Sequence, residues 1–109
     1  MKAISLLFLF LACSSHQPDQ IKQSMLDLYP QYHPCYTQSD TFQKKEKRSF
    51  MLSFTINPDG TTSAHKLYDH VGYDRKMDEC FLTVMKTLRF KPTTDTKIIN
   101  VTQPFNFYP

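Results

Sequence analysis

Between residues 48 and 56 the side chains alternate with a period of two: Phe50, Leu52, Phe54 and Ile56 are separated by Met51, Ser53 and Thr55, with Ser49 ahead of them. Successive side chains of a strand point to opposite faces, so this run predicts a strand with one buried face. Asn57-Pro58-Asp59-Gly60 follows, with a proline to preset one turn position and a glycine free to take positive φ. A hairpin is the natural continuation. The returning strand, about Thr61–Tyr68, alternates poorly, and a bulge would bring Thr62, His65 and Leu67 to one face. Alternation resumes over residues 97–107, where Ile99, Val101, Phe105 and Phe107 share a face. Pro104 has no N–H to give a ladder, which assigns this last strand to a sheet edge.

Elsewhere the period is helical. Ile21, Met25 and Leu28 recur at spacings of four and three, widened by Leu26 and Tyr29, until Pro30 interrupts. Pro34 then leaves two readings, a kinked continuation or a fresh turn opened by a proline at its first position. Both present Cys35 near this helical region. Asp74 is placed to cap a second helix running to about Phe90, with Asp78 and Glu79 near its start and Lys86 and Arg89 near its end, as the helix dipole favours. Met77, Cys80, Phe81, Val84 and Leu88 make its apolar stripe, which puts Cys80 on the core side. The order is helix, strand, strand, helix, strand, an α+β chain.

The first residues have a different character. Met1 and Lys2 give a positive start, and Ile4 with Leu6 to Leu11 forms an apolar stretch far shorter than the ~20 residues of a spanning helix. This is export-signal architecture. The stretch Phe10-Leu11-Ala12-Cys13 resembles the bacterial lipobox, in which the cysteine is acylated and becomes the new N-terminus after cleavage; Phe10 stands where leucine is usual. The resemblance implies a signal peptide over residues 1–12, a lipidated N-terminus and tether over 13–20, and a folded domain over 21–109. A plain secretory signal, or an apolar N-terminus that stays attached, are the alternatives. Each buried methylene contributes ~0.8 kcal/mol, so several acyl chains on Cys13 would anchor the protein permanently. Ser14 stands where an acidic residue often signals retention at the inner membrane, and by the same resemblance this implies an outer-membrane anchor facing the periplasm.

With Cys13 assigned to lipid, two thiols remain in an oxidising compartment, Cys35 and Cys80, and they are expected to pair. The bridge would enclose 44 intervening residues and limit the unfolded ensemble by ~3–4 kcal/mol. Two buried free thiols are the alternative. The chain has 13 basic and 10 acidic side chains, and loss of Lys2 with the signal leaves a net charge of +2. Nothing in such a near-neutral chain suggests a nucleic-acid partner, for which a strongly basic stripe is expected, and none is assigned. Lys44, Lys45, Lys47 and Arg48, broken by Glu46, form a basic run that reads as a solvated approach to a strand, with contact to anionic lipid or glycan as the alternative. The length allows one domain with a modest core.

His65, Asp69, His70 and Asp74 cluster in sequence and raise a second functional reading, a small periplasmic metal-binding protein or enzyme. His65 and His70 stand five apart on strand and loop, so they do not share a helix face as ligands at four-residue spacing do. A solvated loop is the simpler reading. There is no G-x-S-x-G elbow and no glycine loop to cradle phosphate. No catalytic residue, metal ligand or cofactor is assigned.

The turn INPDG (56–60), the segment LRFKP (88–92) and the closing PFNF (104–107) together resemble the C-terminal domain of the TonB family, especially its AgmX/PglI-type branch. In that branch a cysteine in the first helix followed by an aromatic residue, as in Cys35-Tyr36, accompanies one in the second helix, as at Cys80. The resemblance covers about residues 21–108. It implies a three-stranded antiparallel sheet covered on one face by two helices, with the hairpin's first strand central and the last strand at an edge. A TonB transducer has a spanning helix and a long proline-rich segment; this chain shows neither, so transmission of membrane energy is not expected. What the resemblance does imply is recognition of an extended peptide by an exposed sheet edge, here at Ile98, Asn100 and Thr102. The expected function is that of a lipid-anchored periplasmic adaptor, not an enzyme, which binds an envelope protein or peptide in an envelope or gliding-type assembly.

Overall fold

The strand read from the clearest alternation, β1 (Arg48–Ile56), is the centre of the sheet. The computed structural model describes residues 18–92 and 96–109, so the signal segment, Cys13 and most of the tether lie outside the described residues. Ahead of β1 come α1 (Pro18–Asp27), α2 (Tyr29–Thr37) and the single turn α3 (Asp40–Gln43); after it come β2 (Thr62–Val71), α4 (Arg75–Met85) and β3 (Ile99–Phe107). The sheet order is β2-β1-β3, antiparallel throughout, with both outer strands at edges.

The buried face of β1 carries Phe50, Leu52, Phe54 and Ile56, and the opposite face is half-exposed. The α2 side chains Tyr32 and Tyr36 and the α4 side chains Met77, Phe81 and Met85 cover it, with Leu88 just beyond α4 and Met25 from α1. Phe81 is the hub: its ring stands 4.9 Å from Phe50 and 4.8 Å from Phe105, both edge-to-face, the geometry that aromatic quadrupoles favour.

Several expectations are corrected. The first helical region is two helices. Pro30 sits in the first turn of α2, where its missing N–H costs nothing, and Pro34 is accommodated inside the same helix. α1 opens at Pro18, so residues 18–20, read as tether, are helical. The buried stripe of α4 includes Met85, and Cys80 lies on the exposed margin instead of the core side. α4 also stops at Met85, which leaves Lys86 at its C-cap and Arg89 beyond it. The cause is a tightening of the last turn, with Thr87 N bonded to Val84 O and Leu88 N to Met85 O. The chain is then drawn against the hairpin: Phe90 N donates to Gly60 O at 2.8 Å and Arg89 bridges Thr61. Gly60 is required there, because at φ +90 a Cβ would sit 2.0 Å from Phe90 O. The cap is as expected: Asp74 accepts from Met77 N at 3.0 Å.

The irregular return strand has two bulges, not one. The β1–β2 register shifts between Ser49 and Met51 and again between Ser53 and Thr55. Each time β2 carries one extra residue, and Asp69 (φ 53) and Ala64 (φ 55) take the left-handed conformation there. The second shift turns Thr62, His65 and Leu67 toward the helices, half-buried, as the sequence suggested.

Candidate functional site

The two edges of the sheet differ. Along β3 the ladder runs unbroken from Arg48 opposite Phe107 to Ile56 opposite Ile99. Pro104 lies opposite Met51 in this ladder. A proline in an edge strand turns its nitrogen outward, and in an antiparallel strand residues of one parity turn their N–H and C=O to the same side. Asn100, Thr102 and Asn106 therefore offer their backbone groups to the outside, as a regular rail with no neighbouring strand among the described residues. The β2 edge is interrupted by its two bulges, which is how natural sheets blunt an edge.

A groove of about 390 Å³ runs beside β3, lined by Ile21 and Lys22 of α1 and by residues 99–103. The inward side is apolar, with Val101 buried and Ile99 half-buried; Asn100 and Thr102 point away from the helices and are exposed. Asn100 Oδ1 accepts from Thr55 Oγ1 at 3.0 Å, which fixes that side chain on the outer face of the sheet. Ile98, grouped with these two by the sequence reading, lies one residue before β3 begins and is 57% exposed. It adds apolar surface at the end of the rail and stands outside the ladder.

The inner face of β3 is held by α2. Tyr32 stands 5.6 Å from Phe105, and Tyr36 stacks at 5.3 Å on Phe107. α2 is in turn tied to α4 by a Cys35–Cys80 disulfide, with Cα atoms 5.6 Å apart. Cys35 is 5% exposed, whereas Cys80 is exposed and shares with it a surface depression that includes Pro34, Asp40 and Lys76.

Sequence reasoning missed Arg48. It was read as the end of a solvated basic run, yet it is fully buried and forms the corner where β1, β2 and α4 meet. Nη2 donates to both carboxylate oxygens of Asp78, at 2.7 and 2.9 Å, and lies 3.0 Å from His70 Nδ1; Nη1 donates to the carbonyls of Ser49 and Val71. The guanidinium also sits 5.1 Å from the Phe50 ring centre. Burial lifts the Asp78 pKa above the usual carboxylate range, although Arg48 and His70 pull it the other way. One turn earlier, burial also opposes the charge on Asp74, but hydrogen bonds from Met77 and Thr41 outweigh it and hold that carboxyl low. The signal for Arg48 was present: it has the parity of Phe50 and so belongs to the buried face.

The histidines proposed for a metal site are not brought together. His65 Nε2 is 2.9 Å from Thr62 Oγ1 and its ring stacks on Phe54 at 5.9 Å; burial, then the charges of Lys86 and Arg89, lower its pKa. His70 stands at the other end of β2 with Arg48. Among the described residues no three His, Cys, Asp or Glu side chains are grouped as metal ligands. Likewise no described helix is long and apolar enough to cross a membrane.

No protein-family model matches the chain. No curated protein matches it either. Among solved structures, the chain is similar to the solution structure of the Helicobacter pylori TonB C-terminal domain. The TM-score is 0.50 at 12% sequence identity, over 76% of this chain and 81% of that one. The fold is thus that of a TonB C-terminal domain.

Proposed function

We propose that this protein is a lipid-anchored periplasmic binding module of the cell envelope, which captures an extended segment of a protein partner by adding it as a fourth strand beside β3. The observation that carries this reading is the contrast between the two edges: a regular nine-residue ladder with an adjoining groove at β3, and a twice-bulged strand at β2. Affinity would come from main-chain hydrogen bonds, and selectivity from alternate side chains entering the space between Val101 and Ile21. Asn100 and Thr102 flank the added strand on the outer face, with Ile98 at its end. The lipobox-like sequence at Cys13 supports attachment by acyl chains, and Ser14 supports the outer membrane as the site. The cysteine pair and the ordered motifs support the AgmX/PglI-type branch, and a role as an adaptor in an envelope or gliding-type assembly.

The edge is tested by comparing two substitutions at one position. Thr102→Pro removes an outward N–H and leaves the partner's acceptor unpaired, a loss on the order of 1–3 kcal/mol, so the affinity behind recovery of the partner from envelope extract should fall by about fivefold or more. Thr102→Ala keeps the N–H and should bind nearly as wild type. Both variants are first shown to be folded by circular dichroism. Equal recovery with all three proteins would rule out pairing at this strand.

The anchor is tested separately. Cys13→Ser should abolish incorporation of labelled fatty acid and leave a soluble or uncleaved form. Label entering the mutant protein would show that Cys13 is not the acylated residue.

A further inference from the structure

α1 has a second depression on the side away from β3. It holds about 270 Å³ and is lined by Gln20, Gln23 and Ser24 of α1 and by Arg89, Phe90 and Lys91 of the segment after α4. Two basic residues lining a depression together with amide and hydroxyl side chains supply the donors of an anion site, and arginine and lysine both bind phosphate. The arginine is pre-positioned: its Nη1 donates to the carbonyls of Lys86 at 3.0 Å and Leu88 at 2.7 Å, and its backbone bridges Thr61. Among the described residues, two nearby carboxylates have hydrogen-bond partners. Asp59 accepts from Thr61 N and Oγ1 at 2.9 and 2.6 Å, and these bonds, with a smaller contribution from Arg89, favour its charged form; Asp27 accepts from Gln23 at 2.9 Å.

Position says which phosphate. Pro18, where α1 begins, is five residues from Cys13, a connection that spans at most about 17 Å when fully extended. If Cys13 carries the anchor, this end of the domain stands among the lipid headgroups. The basic run at Lys44–Lys47, weighed above as a lipid contact, precedes the opposite end of β1, roughly 30 Å away along the strand. We infer that the depression between α1 and residues 89–91 docks on the bilayer, with Arg89 and Lys91 receiving the phosphate of an anionic phospholipid headgroup. Acyl chains and a basic contact together are a two-signal anchor, and the second signal also orients the domain. α1 is shared by both grooves, so docking fixes the β3 rail beside the membrane instead of letting it swing on the tether.

The inference takes its location from the Cys13 anchor proposed above, so its test uses protein without lipid. Residues 13–109 carrying Cys13→Ser retain every buried side chain of the described residues, from Met25 to Phe107. This protein should co-float with phosphatidylcholine vesicles containing phosphatidylglycerol and be released as salt rises from about 0.05 to about 0.5 M. Arg89→Gln with Lys91→Gln should lower the partition coefficient about thirty-fold, since each basic side chain near an anionic surface contributes roughly five-fold. Lys91→Gln alone, which leaves the Arg89 contacts intact, should lower it about five-fold. Lys44→Gln with Lys45→Gln removes the same charge at the far end and should change little. The inference is overturned by equal loss in the two double variants, by equal binding to uncharged vesicles, or by no binding to the anionic ones. Displacement by inorganic phosphate at constant ionic strength would also overturn it, because the depression would then be a small-anion site. Failure of the anchor assignment would show in fatty-acid labelling and leave these outcomes unaffected.

Discussion

Asp78→Ala should destabilise the folded domain by about 3–5 kcal/mol, although Asp78 is a partly exposed residue on the first turn of a helix. The reason is Arg48. Its side chain is 0% exposed, and among the described residues Asp78 is the carboxylate in direct contact with it, with Asp74 acting from farther off and Nε having no partner. Removing Asp78 leaves that charge buried against Phe50 and two carbonyls, which cannot neutralise it. The pair itself need not stabilise the fold, since the cost of desolvating both groups offsets their attraction. The double variant Arg48→Met with Asp78→Leu should therefore recover most of the loss. Urea denaturation of wild type, Asp78→Ala and the double variant gives the answer. A single variant within about 1 kcal/mol of wild type would mean that solvent reaches the guanidinium readily and that the corner is not a buried charge.

How far the sequence could be read follows from the range of each signal. β1, the hairpin turn and the Asp74 cap rest on residues adjacent in the chain, and all three were legible. The edge role of β3 was legible because Pro104 removes a donor whatever surrounds it. The bulges in β2 were only half legible: imperfect alternation reports that an extra residue exists, but its place depends on which β1 residues stand opposite. Cys80 was put on the wrong side of the α4 stripe because a stripe has two margins. Which one is covered depends on α2, and α2 reaches Cys80 from the rim. Arg48 was misread because the four charged residues before it, from Lys44 to Lys47, outvoted its parity with Phe50. The place of Asn100 and Thr102 on an edge strand was legible; Ile21 and Lys22, which line the adjoining groove, are about 80 residues away in sequence and were not.

The sheet edge proposed to bind a partner is braced through the disulfide, so loss of Cys80 should affect both stability and the edge. The bridge joins residues 45 apart, and a loop of that size corresponds to ~4 kcal/mol in the chain-entropy model. Small domains are stable by only ~5–15 kcal/mol, so this is a large share. The two cysteines should not be equivalent. Cys80→Ser exposes a hydroxyl to water and leaves Cys35 as a small buried thiol, so the loss should be close to the loop value. Cys35→Ser buries a hydroxyl between the helices and should cost a further ~1–3 kcal/mol. In both variants α2 is released from α4, and with it Tyr32 and Tyr36, which press on Phe105 and Phe107 behind the rail. Amide exchange in β3 should then speed up more than in β1, because β1 is held by partners on both sides. Thiol labelling of the unreduced, denatured domain should find no reactive cysteine among residues 18–109. Two labelled cysteines, or serine variants as stable as wild type, would show that the bridge does not brace the fold in this way; variants equal only to each other would show that burial of the Cys35 side makes no difference.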